Sequence, residues 1–232
     1  ELSVTEMTIR RDLQQLAEKN MVKILHGGAM YLSSEKIVSQ NERTYAIEEE
    51  QQKHREEKIR IGKKAASLVV HNEAIIIDAG TTTVNVITNI PNDMPVTVLA
   101  FSLNTINTIC SRNNFAQLVA GGSFHPNTLS FVGQNGIEMI KQSRASKAFI
   151  SASGVSDKLG VTCTNLYEIE IKRAVIKSSD MKILLVDSSK FDQVKIAHIA
   201  DLLDFDMIIT DTEVPERYIQ IVRELGVEMY CV

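Results

Sequence analysis

The sequence has few cysteines and no large excess of charge of either sign, and both features exclude some classes of protein. Three cysteines among 232 residues, without Cys-x-x-Cys spacing, favour reduced thiols in a cytosol over a disulfide framework. The formal net charge is −4, so a nucleic-acid partner would have to bind a local patch. No apolar run approaches the roughly 20 residues that span a bilayer, and the first residues do not form a signal peptide. We therefore expect a cytoplasmic protein without a membrane partner.

Several common catalytic and metal sites are also missing. The five histidines are scattered without metal-ligand spacing, and neither GxSxG nor GxxxxGK[ST] occurs. Cys110 and Cys231 lie in apolar helix and strand patterns typical of buried, inert thiols, whereas Cys163 lies in a predicted loop. His125 precedes a proline in a loop, which is typical of a surface histidine. We therefore predict no metal, no cofactor and no catalytic residue.

The sequence divides into three regions. Residues 1–33 contain a short helix and a glycine-centred hairpin, and residues 34–57 are charge-rich and form a linker or an exposed helix. From residue 58 to residue 232, short β-branched runs alternate with amphipathic helices, which predicts an α/β fold with a mostly parallel, Rossmann-like sheet covered on both faces. Strands are expected at 73–80, 96–101, 116–122, 147–153, 182–187, 205–211 and 227–232, and helices at 82–90, 103–112, 133–143, 165–179 and 215–225.

The N-terminal helix has two different faces. Ile9, Leu13, Leu16 and Ala17 form an apolar stripe at helical spacing. The other side offers guanidinium, hydroxyl and amide groups that can bond base edges or phosphates, and the hairpin that follows has Gly27-Gly28 at its turn. Acidic and basic residues are equal in number over residues 1–30, so the alternative to DNA binding is that this polar face is simply exposed to solvent. The candidates for DNA contact are Thr5, as a helix N-cap, and Met7, Thr8, Arg10, Arg11, Gln14, Lys23 and His26.

A second signal is the stretch "DAGTTT", in which a buried strand ends and a helix begins. Unpaired N–H groups at a helix start attract anions, and ligands of open α/β sheets bind at the carboxyl ends of strands. Other predicted strand ends supply glycines for close backbone approach and lysines for charge. Each feature alone also fits a plain cap, turn or solvated lysine, but their recurrence favours one shared site. Its predicted members are Asp78, Gly80, Thr81, Thr82, Thr83, Gly121, Gly122, Gly154, Lys172 and Lys190.

Both signals resemble one family. "TIRRDL" at 8–13 and "HGGA" at 26–29 are similar to the winged helix-turn-helix of DeoR-family bacterial transcription regulators, whose first helix is expected to precede Glu1. Over residues 57–232, "DAGTTT", "AGGSF", "SASGV", "EIKRAVI" and "DSSKF" occur in the order of that family's sensor domain, which is similar in fold to ribose-5-phosphate isomerase and CoA-transferase-like proteins. The resemblance implies operator DNA as partner, a homodimer or tetramer, and a phosphorylated sugar as effector.

The resemblance also implies roles for the site residues. Gly80 and Thr81 to Thr83 would cradle the phosphate, Asp78 would accept a hydrogen bond from a sugar hydroxyl or orient the loop, and Lys172 and Lys190 would supply charge. The acidic cluster of the isomerases is replaced by Ser151-Ala152-Ser153-Gly154-Val155, although Glu168 and Glu170 remain as possible bases.

A pocket that keeps its phosphate cradle and loses its acids suits binding better than turnover. We therefore predict a non-enzymatic repressor of a sugar or carbohydrate catabolic operon, with the charged linker transmitting effector binding. The alternatives are a sugar-phosphate isomerase or CoA-transferase-like enzyme, and a metabolite-binding module without a DNA role.

Overall fold

The computed structural model describes residues 6–18, 22–25, 28–31 and 47–232. The chain divides into two compact units, residues 1–44 and residues 45–232. Within the described ranges, no helix is long and apolar enough to cross a membrane.

The first unit consists of one helix and one hairpin. Helix α1 (Glu6–Glu18) is followed by strands β1 (Val22–Leu25) and β2 (Gly28–Tyr31), which pair antiparallel. The helix and hairpin of the sequence prediction are therefore both present. One detail differs, because Ile9 of the expected apolar stripe is 40% exposed, whereas Leu13 and Leu16 are partly buried.

The second unit carries the remaining elements. Its helices are α2 (Ile47–Gln52), α3 (Arg55–Ala66), α4 (Val84–Asn89), α5 (Leu103–Cys110), α6 (Gln134–Gln142), α7 (Ile169–Lys177) and α8 (Glu216–Glu224). Its strands are β3 (Glu73–Ile77), β4 (Val96–Ala100), β5 (Phe115–Val119), β6 (Ser123–His125), β7 (Ser130–Val132), β8 (Ala145–Ser151), β9 (Gly154–Ser156), β10 (Gly160–Cys163), β11 (Ser179–Leu185), β12 (Ala197–Ala200), β13 (Met207–Thr210) and β14 (Glu228–Cys231).

A seven-stranded parallel sheet forms the centre of this unit. Its strand order is β14-β13-β11-β8-β3-β4-β5, and every neighbouring pair is parallel. Successive residues of β3 face opposite cores: Ile76 packs with one cluster, and Ile75 and Ile77 pack with the other. Because both faces are buried, the strand needs apolar side chains at every position, which explains why its sequence lacks period-two alternation. The predicted α/β fold class is confirmed.

Three features go beyond the predicted alternation. Strands β9, β10 and β12 form a small antiparallel sheet, and β6 and β7 form a hairpin. Cys163 therefore lies in a buried strand and not in a loop. Helix α2 and the first residues of α3 occupy positions 47–57, which the sequence assigns to a linker or exposed helix, and Ile47 is only 3% exposed. Residues 34–46 lie outside the described ranges.

Candidate functional site

The ends of three neighbouring strands bring polar side chains together. Strands β3, β8 and β11 are adjacent in the sheet, and Asp78, Ser151 and Asp187 lie at or just after their carboxyl ends. A cavity of about 30 Å³ opens at this edge, which is room for one or two water molecules. Lys172 from α7 and Lys190 line it as well. Parallel strands place their carboxyl ends on one edge, so four segments distant in sequence meet here.

The floor of the cavity is a buried ion pair between Asp78 and Lys172. The side chains are 0% and 3% exposed, respectively. Asp78 Oδ2 also accepts hydrogen bonds from the backbone N–H and the hydroxyl of Ser151, at 2.9 and 3.0 Å. Burial acts to lower the pKa of Lys172, but the charges of Asp78 and Glu168 outweigh it and raise the pKa. Asp78 thus joins two strand ends and neutralises a lysine beneath the cavity.

The threonine turn is held by its own last hydroxyl. Thr83 Oγ1 donates to the carbonyl oxygen of Asp78 at 2.7 Å and is fully buried. A Cβ atom on Gly80 would lie 2.4 Å from Ser151 Oγ, so only glycine fits there. Thr81 and Thr82 line the cavity, whereas Thr83 is committed to the turn. Because α4 has six residues, its dipole is small, and the charge of Lys190 is the stronger attraction for an anion.

A fifth segment, which the sequence analysis missed, closes the cavity. Glu50 of α2 lines it, and its Oε2 atom lies 3.0 Å from Lys190 Nζ. Lys58 Nζ donates to the main-chain carbonyl of Glu50, and burial lowers the pKa of Lys58. Glu50 sits within a charge-rich stretch, where no local pattern distinguishes it from its solvated neighbours.

Three further groups give the cavity its polarity. Burial raises the pKa of Glu168, although Lys172 opposes the shift, and Asn165 Nδ2 donates to Glu168 Oε2 at 2.9 Å. Burial also raises the pKa of the Cys163 thiol to about 11, which keeps it neutral. Asp187 is fully buried, and its Oδ2 atom has no hydrogen-bond partner within the described residues. The sequence did contain a signal for Asp187. This residue lies just after β11 and precedes Lys190 in "DSSKF", so the same strand end that marked Lys190 could have marked Asp187.

The three remaining glycines of the predicted site do not line this cavity. A Cβ atom on Gly122 would lie 2.3 Å from the carbonyl carbon of Val132, and one on Gly154 would lie 2.4 Å from the carbonyl oxygen of Gln193. Gly121 lies beside Gly122 in a separate groove near α6. At Gly122 and Gly154 the close approach is thus made by the protein's own backbone, whereas a Cβ atom on Gly121 would meet no other atom within 4 Å.

The exposed cysteines correct another expectation. Cys110 and Cys231, which the sequence pattern marks as buried, are both exposed, and Cys163 is the buried one. His125 is partly buried and stacks on Tyr167, with ring centroids 3.8 Å apart. Among the described residues, no group of three or more His, Cys, Asp or Glu side chains is placed to hold a metal ion.

The DNA-contact candidates lie on α1 and its hairpin. Met7 is 80% exposed. Arg10, Arg11 and Gln14 are exposed and Thr8 is partly exposed, so the polar face of α1 is open within its unit. Lys23 lies in β1 opposite Met30. Thr5 and His26 fall outside the described residues.

Known proteins are similar to the chain over nearly its whole length. The family models for the "DeoR-like helix-turn-helix domain" and the "DeoR C terminal sensor domain" match residues 1–35 and 53–212. The HTH-type transcriptional regulator GolR of Listeria innocua is 33% identical over 92% of this chain and 82% of its own. The deoxyribose operon repressor of Escherichia coli is 32% identical over 94% of this chain and 84% of its own. The glycerol-3-phosphate regulon repressor of Escherichia coli is 28% identical over 98% of this chain and 87% of its own.

The similarity to solved structures is remote. Ribose 5-phosphate isomerase from Plasmodium falciparum superposes with a TM-score of 0.42 at 17% identity, covering 58% of this chain and 52% of that chain. A likeness this remote says nothing about activity, whereas the family models and the relatives agree with each other and with the motifs. The chain belongs to the DeoR family of transcriptional regulators, as its sequence predicts.

Proposed function

We propose that this protein is a cytoplasmic repressor of a sugar-catabolic operon, and that a phosphorylated sugar bound in the cavity controls its affinity for operator DNA. The observation that carries the proposal is the cavity at the carboxyl edge of the sheet, where Lys190, Thr81 and Thr82 converge. One cation with hydroxyl donors suits a phosphate group. The names of two relatives, a deoxyribose operon repressor and a glycerol-3-phosphate regulon repressor, support this class of effector.

Asp187 adds a requirement for the rest of the effector. A buried carboxylate oxygen without a partner is unfavourable, and a ligand hydroxyl would satisfy it. We therefore expect the effector to carry a hydroxyl group within reach of Asp187 while its phosphate lies near Lys190. Loss of that hydroxyl from the ligand would cost roughly 1–3 kcal/mol, the usual penalty for an unsatisfied buried group.

The DNA-binding role rests on the exposed polar face of α1. Exposed Arg11 would contact DNA together with Arg10, and two such domains in a dimer or tetramer would span two half-sites about one helical turn apart. Arg11→Ala should weaken operator binding and lower the salt slope by about one for one lost phosphate contact. Arg223→Ala, which changes an exposed arginine on α8, is the matched control and should leave binding unchanged.

Enzymatic turnover is the second candidate function, and one observation favours it. Glu168 is a buried carboxyl group with a raised pKa beside the cavity, which is typical of a general acid or base. Against this, Lys172 is already paired with Asp78, and the Cys163 thiol is held neutral by burial. We propose that the protein binds its effector without converting it.

The test measures DNA binding and ligand response together. Fluorescence anisotropy of an upstream duplex, at one stated salt concentration, would be recorded with the full-length protein and a panel of sugar phosphates beside their unphosphorylated counterparts. We expect one phosphorylated member to release the duplex. Thr82→Val and Lys190→Met should blunt that response, whereas Thr88→Val and Lys158→Met, at exposed positions, should not.

Two outcomes would contradict the proposal. Specific binding that no phosphosugar alters would remove the effector role of the cavity. Conversion of a panel member by the wild-type protein, abolished in Glu168→Gln, would establish the enzymatic function instead.

A further inference from the structure

Helix α2 is attached to the sensor unit at the mouth of the cavity. Ile47 at its start is 3% exposed, and its N–H donates to the carbonyl oxygen of Asn127 at 2.9 Å. Near its end, the Glu50 carboxylate lies 3.0 Å from Lys190, and the Glu50 carbonyl accepts a hydrogen bond from Lys58. One apolar anchor and two polar ones thus hold this short helix against the site.

The cavity has little room and no spare charge while α2 is in this place. Its volume of about 30 Å³ accepts water molecules but not a phosphosugar. The described residues that line it include two lysines, and each already faces a carboxylate: Lys172 faces Asp78, and Lys190 faces Glu50. An anionic ligand must therefore break one of these pairs and enlarge the space.

The two ion pairs differ in how easily they separate. The side chains of Asp78 and Lys172 are 0% and 3% exposed, so separating them would leave a charge in the core. Those of Lys190 and Glu50 are 19% and 18% exposed, so Glu50 can turn into water, and the phosphate of the ligand then takes its place beside Lys190. Displacement of Glu50 also removes a side chain that lines the cavity, so one movement supplies both a free cation and room.

We propose that Glu50 is a specificity-determining residue of the effector site, an internal carboxylate that occupies Lys190 and yields it only to a dianionic ligand. The inference rests on the proposed function of the cavity and names how that site selects its ligand. A neutral sugar has no negative charge to replace the Glu50 carboxylate beside Lys190, so its binding would break the ion pair without forming another. A phosphate monoester offers nearly two charges and three acceptor oxygens, which more than replace one carboxylate.

Glu50 remains a competitor throughout the physiological pH range. Burial acts to raise the pKa of Glu50, but hydrogen bonds from Lys53 and Lys190 outweigh it and lower the pKa to about 2. Its charge is therefore present whenever a phosphate is dianionic. Since α2 is the first described helix after residue 46, its displacement acts on the chain that leads back to the DNA-binding unit, which gives ligand binding a route to the operator.

The test compares two neighbouring glutamates. Inorganic phosphate would be titrated calorimetrically into the full-length wild-type protein, into Glu50→Gln and into Glu49→Gln, where Glu49 is an exposed residue of the same helix. Removing the competing charge should tighten phosphate binding about tenfold in Glu50→Gln, and Glu49→Gln should match the wild type. Equal affinity in all three proteins would overturn the role of Glu50 while leaving the anion site in place. No phosphate binding in any of them would overturn the proposed effector site as well.

A second readout follows α2 itself. Amide hydrogen exchange of a peptide covering residues 47–52 should accelerate in the wild-type protein when ribose 5-phosphate is added and should not change with ribose. Slower exchange of this peptide on adding the phosphosugar would show that the ligand binds beneath a closed α2, and it would overturn the proposal.

Discussion

The buried pair of Asp78 and Lys172 allows a quantitative prediction. Replacing Lys172 by methionine shortens the side chain by one atom and removes its charge. Asp78 would then stay fully buried with two hydrogen bonds from Ser151 and no cation, and its Oδ1 atom already lacks a hydrogen-bond partner among the described residues. Breaking a buried pair from one side costs about 3–5 kcal/mol, because the remaining charge is uncompensated. We expect Lys172→Met to lose that much unfolding free energy, a large part of the roughly 5–15 kcal/mol typical of a domain.

The double variant separates charge from packing. In Asp78→Asn with Lys172→Met, both buried charges are gone, and the introduced amide can still accept the Ser151 hydrogen bond, so most of the lost stability should return. The raised pKa of Lys172 sets the pH range for this comparison. Its contribution is complete below the unfolded-state pKa of about 10.4 and is lost only as the pH rises through the folded-state value. The difference should therefore be constant between neutral and mildly basic pH.

Urea denaturation followed by circular dichroism measures all of these proteins. Lys177→Met, at an exposed position on the same helix, is the control and should change stability by less than about 0.5 kcal/mol. A Lys172→Met protein as stable as the control would refute the buried-pair argument. A double variant no more stable than Lys172→Met would show that lost packing, and not the stranded charge, causes the destabilisation.

Two further predictions concern titratable groups near and away from the cavity. Because burial raises the folded-state pKa of Glu168 above the unfolded value, its ionisation opposes folding as the pH rises, so Glu168→Gln should gain more stability relative to wild type at pH 7 than at acidic pH in urea titrations. Reaction with a thiol reagent should label Cys110 and Cys231 in the native protein and Cys163 only after unfolding, because Cys163 is buried and its pKa is about 11. Rapid native labelling of all three thiols would contradict this burial.

The parallel sheet was predictable because its signal is local. Runs such as Ile75-Ile76-Ile77 carry apolar side chains at successive positions, and helices of matching length separate them. The small sheet of β9, β10 and β12 was not, because its strands have three or four residues each and β12 pairs across more than thirty residues of intervening chain. Pairing between distant short strands leaves no local periodicity.

The site was predictable in part for the same reason. Strand ends marked Thr81, Thr82 and Lys190, and a predicted helix carried Lys172; all four line the cavity. Glycine positions were ambiguous, because Gly154 and a ligand-contacting glycine obey the same steric rule and differ only in what approaches them. Glu50 could not be found from sequence, since its function depends on where an exposed-looking charge run folds back in space.

The two ion pairs of the cavity have different roles: one maintains the structure of the site, and the other changes when the ligand binds. An allosteric site needs a part that keeps its shape and a part that changes at a cost comparable to the coupling energy, typically about 1–3 kcal/mol. Separating the fully buried pair of Asp78 and Lys172 would exceed that range, so this pair holds the strand ends in both states. The pair of Glu50 and Lys190 keeps part of both side chains in contact with water, so its separation costs less than that of the inner pair. The difference in burial therefore indicates that the pair of Asp78 and Lys172 keeps its structure, whereas the pair of Glu50 and Lys190 separates when the ligand binds.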